Sequence, residues 1–335
     1  MTPRTVVLGT GHYVPSRVVT NQELTDLMDT THEWIVERTG IETRRFAVPG
    51  VDTTSSMGTA AALKALEAAG LGPEDLDLIL FATLSPDYYF PGPGVQLQHQ
   101  LGCRTVGAID IRNQCSGFVY ALSVADQYIR NGAARHVLVV GSELHSGGLD
   151  MSTRGRNVSV IFGDGAGAVV LGPCSTGERG ICSTHLHSQG EHAKELALLG
   201  PSTRDWVPAI LERNDPEETD YYPTMNGNFV FKHAVVRFAE AIREALEANG
   251  VQASDLKLLI PHQANLRISQ YIQQQMALRD DQVYHNIMRY GNTTAASIPI
   301  ALDEAYREGR IQEGDLVMLA AFGSGFTWAS ALIRW

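Results

Sequence analysis

The sequence predicts an α/β protein that is built from two similar halves. Short apolar runs alternate with stretches of helical periodicity along most of its 335 residues, and this alternation predicts mostly parallel sheets with helices packed on them. A coarse repeat supports the duplication, because at residues 54–81 and again at 231–260 a helical stretch leads through a Gly-containing turn into a buried strand. No Pro- or Ser-rich linker separates the halves, so we expect them to share one rigid body.

The first half is predicted to contain four main strands and two main helices. Strands are predicted at residues 5–9, 76–83, 136–141 and 166–171, where apolar and β-branched residues cluster. Helices are predicted at residues 54–69 and 116–131, where apolar positions recur with helical spacing. The half ends in a Gly-rich strand near residues 163–171.

The second half repeats this alternation. Helices are predicted at residues 231–248 and 298–308, and strands at residues 256–260, 316–322 and 329–335. The segment from Gly200 to Tyr222 contains Trp206, Pro208, Pro216 and an acidic run, and it interrupts the alternation of helices and strands. We expect an extended loop or small helix there, lying over an opening.

Composition restricts the partners and the location of the protein. The net charge of −11 argues against broad nucleic-acid binding, although a local basic patch would still allow an acidic protein partner to dock. The chain contains no run of about eighteen apolar residues, so no membrane span is expected. The N-terminus has no signal-peptide pattern. The four cysteines show no CxxC spacing, which favours a reduced, cytoplasmic protein.

Cys115 carries the strongest functional signal. It lies where a β-branched run ends and a helical stretch begins, so its sulfur is expected near unpaired helix N–H groups that favour a thiolate. His262 and Asn292 lie in two other turns that are rich in Gly, Ala or Pro. A Cys, a His and an Asn in such positions suggest acyl transfer through a thioester.

A Cys–His–Asn set has two chemical uses. In a hydrolase, His262 would deprotonate Cys115 while Asn292 orients the imidazole. Alternatively, neutral His262 and Asn292 would both donate hydrogen bonds to one thioester oxygen and stabilise the enolate that forms on loss of carbon dioxide. The residues alone leave both uses open.

Six motifs occur in order along nearly the whole chain. They are Thr-His-Glu-Trp-Ile-Val-Glu-Arg-Thr-Gly at 31–40, Cys-Ser-Gly-Phe at 115–118, Phe-Gly-Asp-Gly-Ala-Gly at 162–167, Pro-His-Gln-Ala-Asn-Leu-Arg at 261–267, Gly-Asn-Thr-Thr-Ala-Ala-Ser at 291–297 and Phe-Gly-Ser-Gly-Phe-Thr-Trp at 322–328. Together they resemble the β-ketoacyl-acyl-carrier-protein synthase III family of the thiolase superfamily.

This resemblance implies a thiolase-like duplicated α/β fold. Two βαβαβαββ-type halves, residues 1–172 with the Cys and residues 173–335 with the His and Asn, would pack into a five-layered α-β-α-β-α core. It further implies a homodimeric acyltransferase that initiates fatty-acid biosynthesis by decarboxylative Claisen condensation of an acyl-CoA primer with malonyl-acyl-carrier protein, with no cofactor. Cys115 would carry the acyl group, His262 and Asn292 would stabilise the enolate, and the backbone N–H groups of Cys115 and Ser324 would hold the oxyanion.

The resemblance also implies binding residues for CoA and for the carrier protein. At the nucleotide end it places Thr30, Trp34, Arg38 and Arg156, with the adenine held between Trp34 and Arg156. Along the pantetheine channel it places Gly227, Phe231 and Asn265. Phe90 would reach across the dimer to close the acyl pocket. Lys232 and Arg267 would receive the carrier protein, and Arg237 and Arg243 follow on the same predicted helix as Lys232.

Some features leave other functions open. The large polar residues 112–114 before the nucleophile and the long 200–222 segment depart from the family pattern. They keep open the alternative of a specialised synthase III-like enzyme that uses longer or branched acyl groups in a secondary pathway.

Further alternatives rank lower. A degradative thiolase usually has a second catalytic Cys, and none follows Cys182. A non-catalytic partner would lose Cys115, and a thiol hydrolase would not explain Trp34 or the 322–328 motif. His185, His187 and His192 match no zinc spacing, so no metal is expected.

Overall fold

Two β-sheets form the framework of the molecule. The computed structural model of the chain describes residues 4–174, 179–200 and 222–335. The first sheet consists of β1 (Arg4–Tyr13), β4 (Leu78–Ala82), β5 (Gly107–Ile111), β6 (Val137–Glu143) and β7 (Gly165–Cys174). Its spatial order is β1-β7-β6-β4-β5. A separate two-stranded ribbon pairs β2 (Arg17–Thr20) with β3 (Thr43–Phe46).

The second sheet repeats the order of the first. It consists of β8 (Gly180–Ser188), β11 (Leu258–Pro261), β12 (Leu316–Gly323) and β13 (Thr327–Arg334), in the order β11-β12-β13-β8. A parallel bridge from Leu259 to Val283 lies next to β11, at the position that β5 occupies in the first sheet. A short ribbon of β9 (Leu196–Ala197) and β10 (Thr224–Met225) flanks residues 201–221, so the predicted loop or small helix there lies outside the described residues.

Helices complete five layers. They are α1 (Asn21–Thr25), α2 (His32–Thr39), α3 (Thr54–Ala69), α4 (Pro93–Gln100), α5 (Gly117–Arg130), α6 (Arg156–Ser159), α7 (Gly227–Asn249), α8 (Leu266–Gln275), α9 (Ile287–Tyr290) and α10 (Ser297–Arg307). Helices α3 and α4 cover the outer face of the first sheet, and α7 covers the outer face of the second with α8 packed beside it. Helices α5 and α10 contact both sheets and form the middle layer. The five-layered α-β-α-β-α architecture is therefore confirmed.

The largest part of the core lies around the middle layer. Leu80 and Val139 of the first sheet, Phe118 of α5, Ile298 of α10 and Val317 of the second sheet belong to one buried apolar cluster. Because this cluster contains residues from both halves, the two halves cannot separate without exposing it to water. The starts of α5 and α10 meet at this shared interface, which is where the catalytic turns lie.

The predicted elements agree closely with the observed ones, but the prediction of mostly parallel sheets is wrong. Helix α3 has the predicted bounds, and its ends are set by a capping box at Thr53 and by left-handed Gly70. In the first sheet β6-β4-β5 are parallel while β7 is antiparallel to both neighbours. In the second sheet β12 and β13 are antiparallel, because residues 324–326 between them are too few for a parallel crossover.

Two further features of the described residues concern membrane-spanning helices and disulfide bonds. Within the described ranges, no helix combines the length and the apolar character needed to cross a membrane. Among the described residues, Cys103, Cys115 and Cys182 form no disulfide bond. The boundary between residues 172 and 173 stays a prediction.

Candidate active site

Cys115 lies at the entrance to α5, in a single 3-10 turn of Gln114–Ser116. Its side chain is 7% exposed, and the backbone N–H groups of Cys115 and Ser324 both reach its sulfur. Ser324 comes from the tight β12–β13 turn. A methyl group on the neighbouring Gly323 would lie 2.7 Å from the Cys115 Cβ and 3.0 Å from its Sγ, so only glycine lets this turn approach the nucleophile.

The backbone N–H groups at the start of α5 favour a thiolate, as expected, but burial outweighs them in the protein without ligand. Burial and, as the second cause, the nearby Glu143 carboxylate raise the pKa of Cys115 to about 12. The N–H groups of Ser324 and Cys115 lower this pKa but do not outweigh burial. Cys115 therefore holds its proton until a reaction partner takes it.

His262 follows β11 and is buried. Its Nδ1 lies 2.6 Å from the Ser297 hydroxyl, and its Nε2 has no hydrogen-bond partner within the described part of the chain. Burial lowers the pKa of His262 to about 3, so the imidazole is neutral. Ser297 also accepts a 3.4 Å bond from the Gln263 N–H. With the Ser297 O–H donating to Nδ1, the neutral imidazole carries its proton on Nε2 and can donate it to a substrate.

Asn292 is held by its own turn rather than by the histidine. The Thr294 N–H donates to its Oδ1 at 2.8 Å, and its backbone bridges to Phe162. With Oδ1 engaged, the amide presents its Nδ2 donor to the cavity that Asn292 lines. The partner of the His262 Nδ1 is Ser297, so Asn292 does not orient the imidazole as it would in the hydrolase arrangement.

The three predicted catalytic residues line one cavity of about 530 Å³. Its walls near the nucleophile are mainly apolar and include Phe322 and Leu196. An apolar cavity with three convergent polar groups suits a thioester with an apolar chain.

Several of the predicted CoA-binding residues surround the mouth of this cavity. Trp34, Arg38, Gly227, Phe231 and Asn265 line it. The Asn265 side chain has a structural role as well, because it caps α8 through the Arg267 N–H and donates to the Arg38 carbonyl at 2.9 Å.

Arg156 lies beside Trp34 but leaves no gap for a base. Its guanidinium carbon is 5.2 Å from the indole centroid, and that of Arg38 is 4.7 Å away. A stacked base needs about 3.5 Å on each side, so Arg156 occupies the place where the resemblance puts the adenine. The neighbouring Arg154 instead pairs with Asp150 and packs on Tyr222.

Two other predicted residues do not line the cavity of the single chain. The Thr30 hydroxyl is buried with no hydrogen-bond partner among the described residues. Phe90 is 75% exposed and lies outside the cavity, so it can close an acyl pocket only in another copy of the chain.

The predicted carrier-protein residues lie at the cavity mouth on α7 and α8. Lys232 and Arg267 are exposed, and Arg267 also lines the cavity. Arg237 does not extend this patch, because it bonds to Glu240 and Gln189 and packs on Trp328. Arg243 is exposed and makes a 3.5 Å bond to Gln275.

Sequence reasoning missed three residues that shape the site. Ser297 holds His262, Gly323 admits the turn that touches Cys115, and Glu143 is a fully buried carboxyl near the nucleophile. Glu143 did leave a signal, since a carboxyl at the end of the otherwise apolar strand run at 136–141 is unusual. Of the histidines considered for a metal, His185 and His187 both contact Glu244, and within the described residues no metal-binding cluster is found.

Comparison with known proteins decides the family. Residues 109–190 match the family model of 3-oxoacyl-(acyl-carrier-protein) synthase III, and residues 246–335 match the model of its C-terminal part. The β-ketoacyl-(acyl-carrier-protein) synthase III of Rhodospirillum centenum is 47% identical, over 99% of this chain and 99% of its own. The chain belongs to the β-ketoacyl-acyl-carrier-protein synthase III family. This synthase III family member is also 48% identical to the enzyme of Serratia proteamaculans, over 98% of this chain and 99% of the other.

The fold agrees with this assignment. The crystal structure of 3-oxoacyl-(acyl-carrier-protein) synthase III from Aquifex aeolicus matches with a TM-score of 0.90 at 41% identity, over 99% of this chain and 100% of that one. The thiolase-like fold and the acyltransferase class predicted from the sequence are confirmed. The chain is a condensing enzyme of the synthase III type, and these comparisons favour this reading over the specialised secondary-pathway alternative.

Proposed function

We propose that this enzyme initiates fatty-acid biosynthesis by condensing an acyl-CoA primer with malonyl-acyl-carrier protein. The observation that carries the proposal is the division of labour among the cavity's polar groups. Ser297 holds the His262 Nδ1 and Thr294 holds the Asn292 Oδ1. This arrangement leaves one donor on each residue for a substrate oxygen, beside the thiol of Cys115.

In the first step the acyl group moves from CoA to Cys115. The Cys115 sulfur bonds to the thioester carbon, the carbon–sulfur bond to CoA breaks, and the Cys115 proton ends on the departing CoA thiol. The tetrahedral oxyanion accepts hydrogen bonds from the two backbone N–H groups that reach the sulfur, those of Cys115 and Ser324. These donors come from the rigid start of α5 and from the short β12–β13 turn, so they need no reorganisation during the reaction.

In the second step the malonyl thioester loses carbon dioxide. The electron pair of the broken carbon–carbon bond forms an enolate, whose oxygen accepts hydrogen bonds from the His262 Nε2–H and the Asn292 Nδ2. The enolate carbon then attacks the acyl-cysteine carbonyl. The Cys115 thiolate leaves and regains a proton from solvent, which gives a β-ketoacyl-carrier protein.

The partners follow from the surface around the cavity. Lys232 and Arg267 form an exposed cationic pair at its mouth, which suits an acidic carrier protein even though the enzyme is itself acidic. A homodimer would pair the edge strand β5, whose Ile109 is exposed, and would bring Phe90 to the partner. Cys103, Cys115 and Cys182, which form no disulfide bond, suit a reducing cytoplasm.

The test follows the acyl group on the intact protein. After incubation with acyl-CoAs from acetyl to dodecanoyl, mass spectrometry should show an adduct on the wild type and none on Cys115→Ala. Asn292→Asp keeps the acceptor for the Thr294 N–H but replaces the Nδ2 donor with an acceptor. It should keep the adduct and lose condensation with malonyl-carrier protein by about 10²- to 10³-fold.

The exposed Asn131 provides the matched control, because Asn131→Asp makes the same chemical change on the surface. The proposal fails if no acyl-CoA forms an adduct, or if Asn292→Asp condenses at the wild-type rate.

A further inference from the structure

Glu143 is a buried carboxyl group at the end of β6, and the cavity does not reach it. Its side chain is fully buried. It accepts hydrogen bonds from the Thr83 hydroxyl at 3.0 Å, the Ser85 hydroxyl at 2.6 Å and the Leu84 N–H at 3.2 Å. The Ala295 N–H is a fourth donor. Among the described residues, no cation forms an ion pair with Glu143.

The direction of these hydrogen bonds is fixed by their surroundings. The Thr83 hydroxyl oxygen already accepts from the Ser85 N–H, and the Ser85 hydroxyl oxygen accepts from the Leu144 N–H. Both hydroxyl hydrogens are therefore directed at Glu143. A carboxylate only accepts, so it satisfies all four donors, and this compensates in part for the burial that raises the pKa of Glu143 to about 7.

Glu143 connects the first half of the protein to the turn that carries the enolate-binding groups. Ala295 lies in the 3-10 turn of Thr294–Ala296, directly after Asn292. The N–H of Thr294 in the same turn holds the Asn292 amide, and Ser297 at its end holds His262. Displacing Ala295 would therefore displace both substrate-facing donors together.

The carboxylate also acts on the nucleophile. Glu143 is the charged group that acts on Cys115, and it opposes ionisation of the thiol. Because Glu143 itself is not in the cavity, this effect is electrostatic and does not involve contact with substrate.

We propose that Glu143 is a positioning residue of the condensation reaction, which anchors the 292–297 turn that carries the donors for the enolate. This inference rests on the proposed function. The two effects of Glu143 have opposite signs, since removing the charge makes the thiol easier to ionise while it disturbs the donors for the enolate. A purely structural residue would not shift the ionisation of Cys115.

Two variants separate the effect of the Glu143 charge from the effect of its side-chain length. Glu143→Gln keeps the length of the side chain, but its amide NH₂ would face hydroxyl and N–H groups that also donate. It should lower the midpoint of the pH profile for Cys115 alkylation by iodoacetamide by about one pH unit, and slow condensation about 10- to 100-fold. Glu143→Asp keeps the charge but is one methylene shorter, so it should slow condensation with the alkylation midpoint unchanged. It also serves if Glu143→Gln does not fold.

Asp303 provides the matched control. It is a buried carboxylate that also joins the two halves, through Thr10 and His12, but none of its partners touches the 292–297 turn. Asp303→Asn should lower the melting temperature. It should leave both the midpoint of Cys115 alkylation and the rate of condensation unchanged.

The inference is overturned if Glu143→Gln moves neither readout, or if it slows condensation only as much as Asp303→Asn does with no change in the alkylation midpoint. If the wild type does not condense acyl-CoA with malonyl-carrier protein, the proposed function fails, and the alkylation profile still tests the effect of the Glu143 charge.

Discussion

The contact between Gly323 and Cys115 is the tightest constraint in the active site, and Gly323→Ala tests it directly. The added Cβ would lie 2.7 Å from the Cys115 Cβ, 3.0 Å from its Sγ and 3.1 Å from its N. Ordinary contacts begin at 3.4 Å, so the turn and the nucleophile must separate by about 0.7 Å, which is 3.4 minus 2.7. The atoms in the way are the backbone and the Cβ of Cys115, which cannot rotate aside.

This separation would carry the Ser324 N–H away from the position where the oxyanion forms. A displacement of nearly 1 Å in a catalytic group costs about 100-fold in rate, which corresponds to about 2.7 kcal/mol of transition-state stabilisation. We therefore expect Gly323→Ala to form the acyl-cysteine about 100-fold more slowly than the wild type. Overpacking should also lower the free energy of unfolding by about 1–3 kcal/mol.

The assay is the rate at which the acyl adduct appears in the intact protein after mixing with acyl-CoA. Gly148 provides the control, because a Cβ there meets no atom within 4 Å and its φ is not positive. Gly148→Ala should acylate at the wild-type rate. If Gly323→Ala stays within threefold of the wild type while it remains folded, the close approach of this turn does not matter for acyl transfer.

Three more outcomes follow from the contacts and the pKa shifts of individual residues. The rate of Cys115 alkylation should still rise above about pH 9, since its pKa is raised, and a plateau below pH 8 would contradict this. If the adenine displaces Arg156 from Trp34 when acyl-CoA binds, Trp34→Ala should raise KM for acyl-CoA about tenfold but leave KM for an acyl-pantetheine thioester, which has no nucleotide, unchanged. Burial lowers the His285 pKa from 6.5 to about 4. Between these two pH values the unfolded chain binds a proton on His285 that the folded chain does not, so the folded state loses stability as the pH falls. His285→Gln should therefore reduce the loss of stability on acidification by up to about 1.4 kcal/mol per pH unit, as urea denaturation at about pH 7.5 and 5 would show.

Much of the fold could be predicted from local sequence. Helix α3 has the predicted bounds because its capping box and its C-terminal glycine are short-range features. The predicted strands agree with the observed ones because buried runs need apolar residues. Strand β8 was not predicted, because most of its residues are only partly buried and the run is polar. The prediction of mostly parallel sheets was wrong, because strand direction depends on the length of the connection and on pairing with distant strands, which apolar runs do not encode.

The three residues proposed for catalysis were recognised from their turns and motifs, since residue type and local punctuation are properties of the chain itself. Their interactions were not predictable in this way. That Ser297 rather than Asn292 holds His262, and that Glu143 reaches the Ala295 N–H across 152 residues of sequence, depends on two halves packing against each other.

The sequence by itself therefore determined the α/β class, the duplicated order of elements and the identity of Cys115, His262 and Asn292 as candidates. The tertiary structure decided their chemical state. Helix termini and charges act over a few ångströms in space, and burial depends on every layer of the fold, so the protonated thiol and the neutral imidazole arise only when both halves enclose the site.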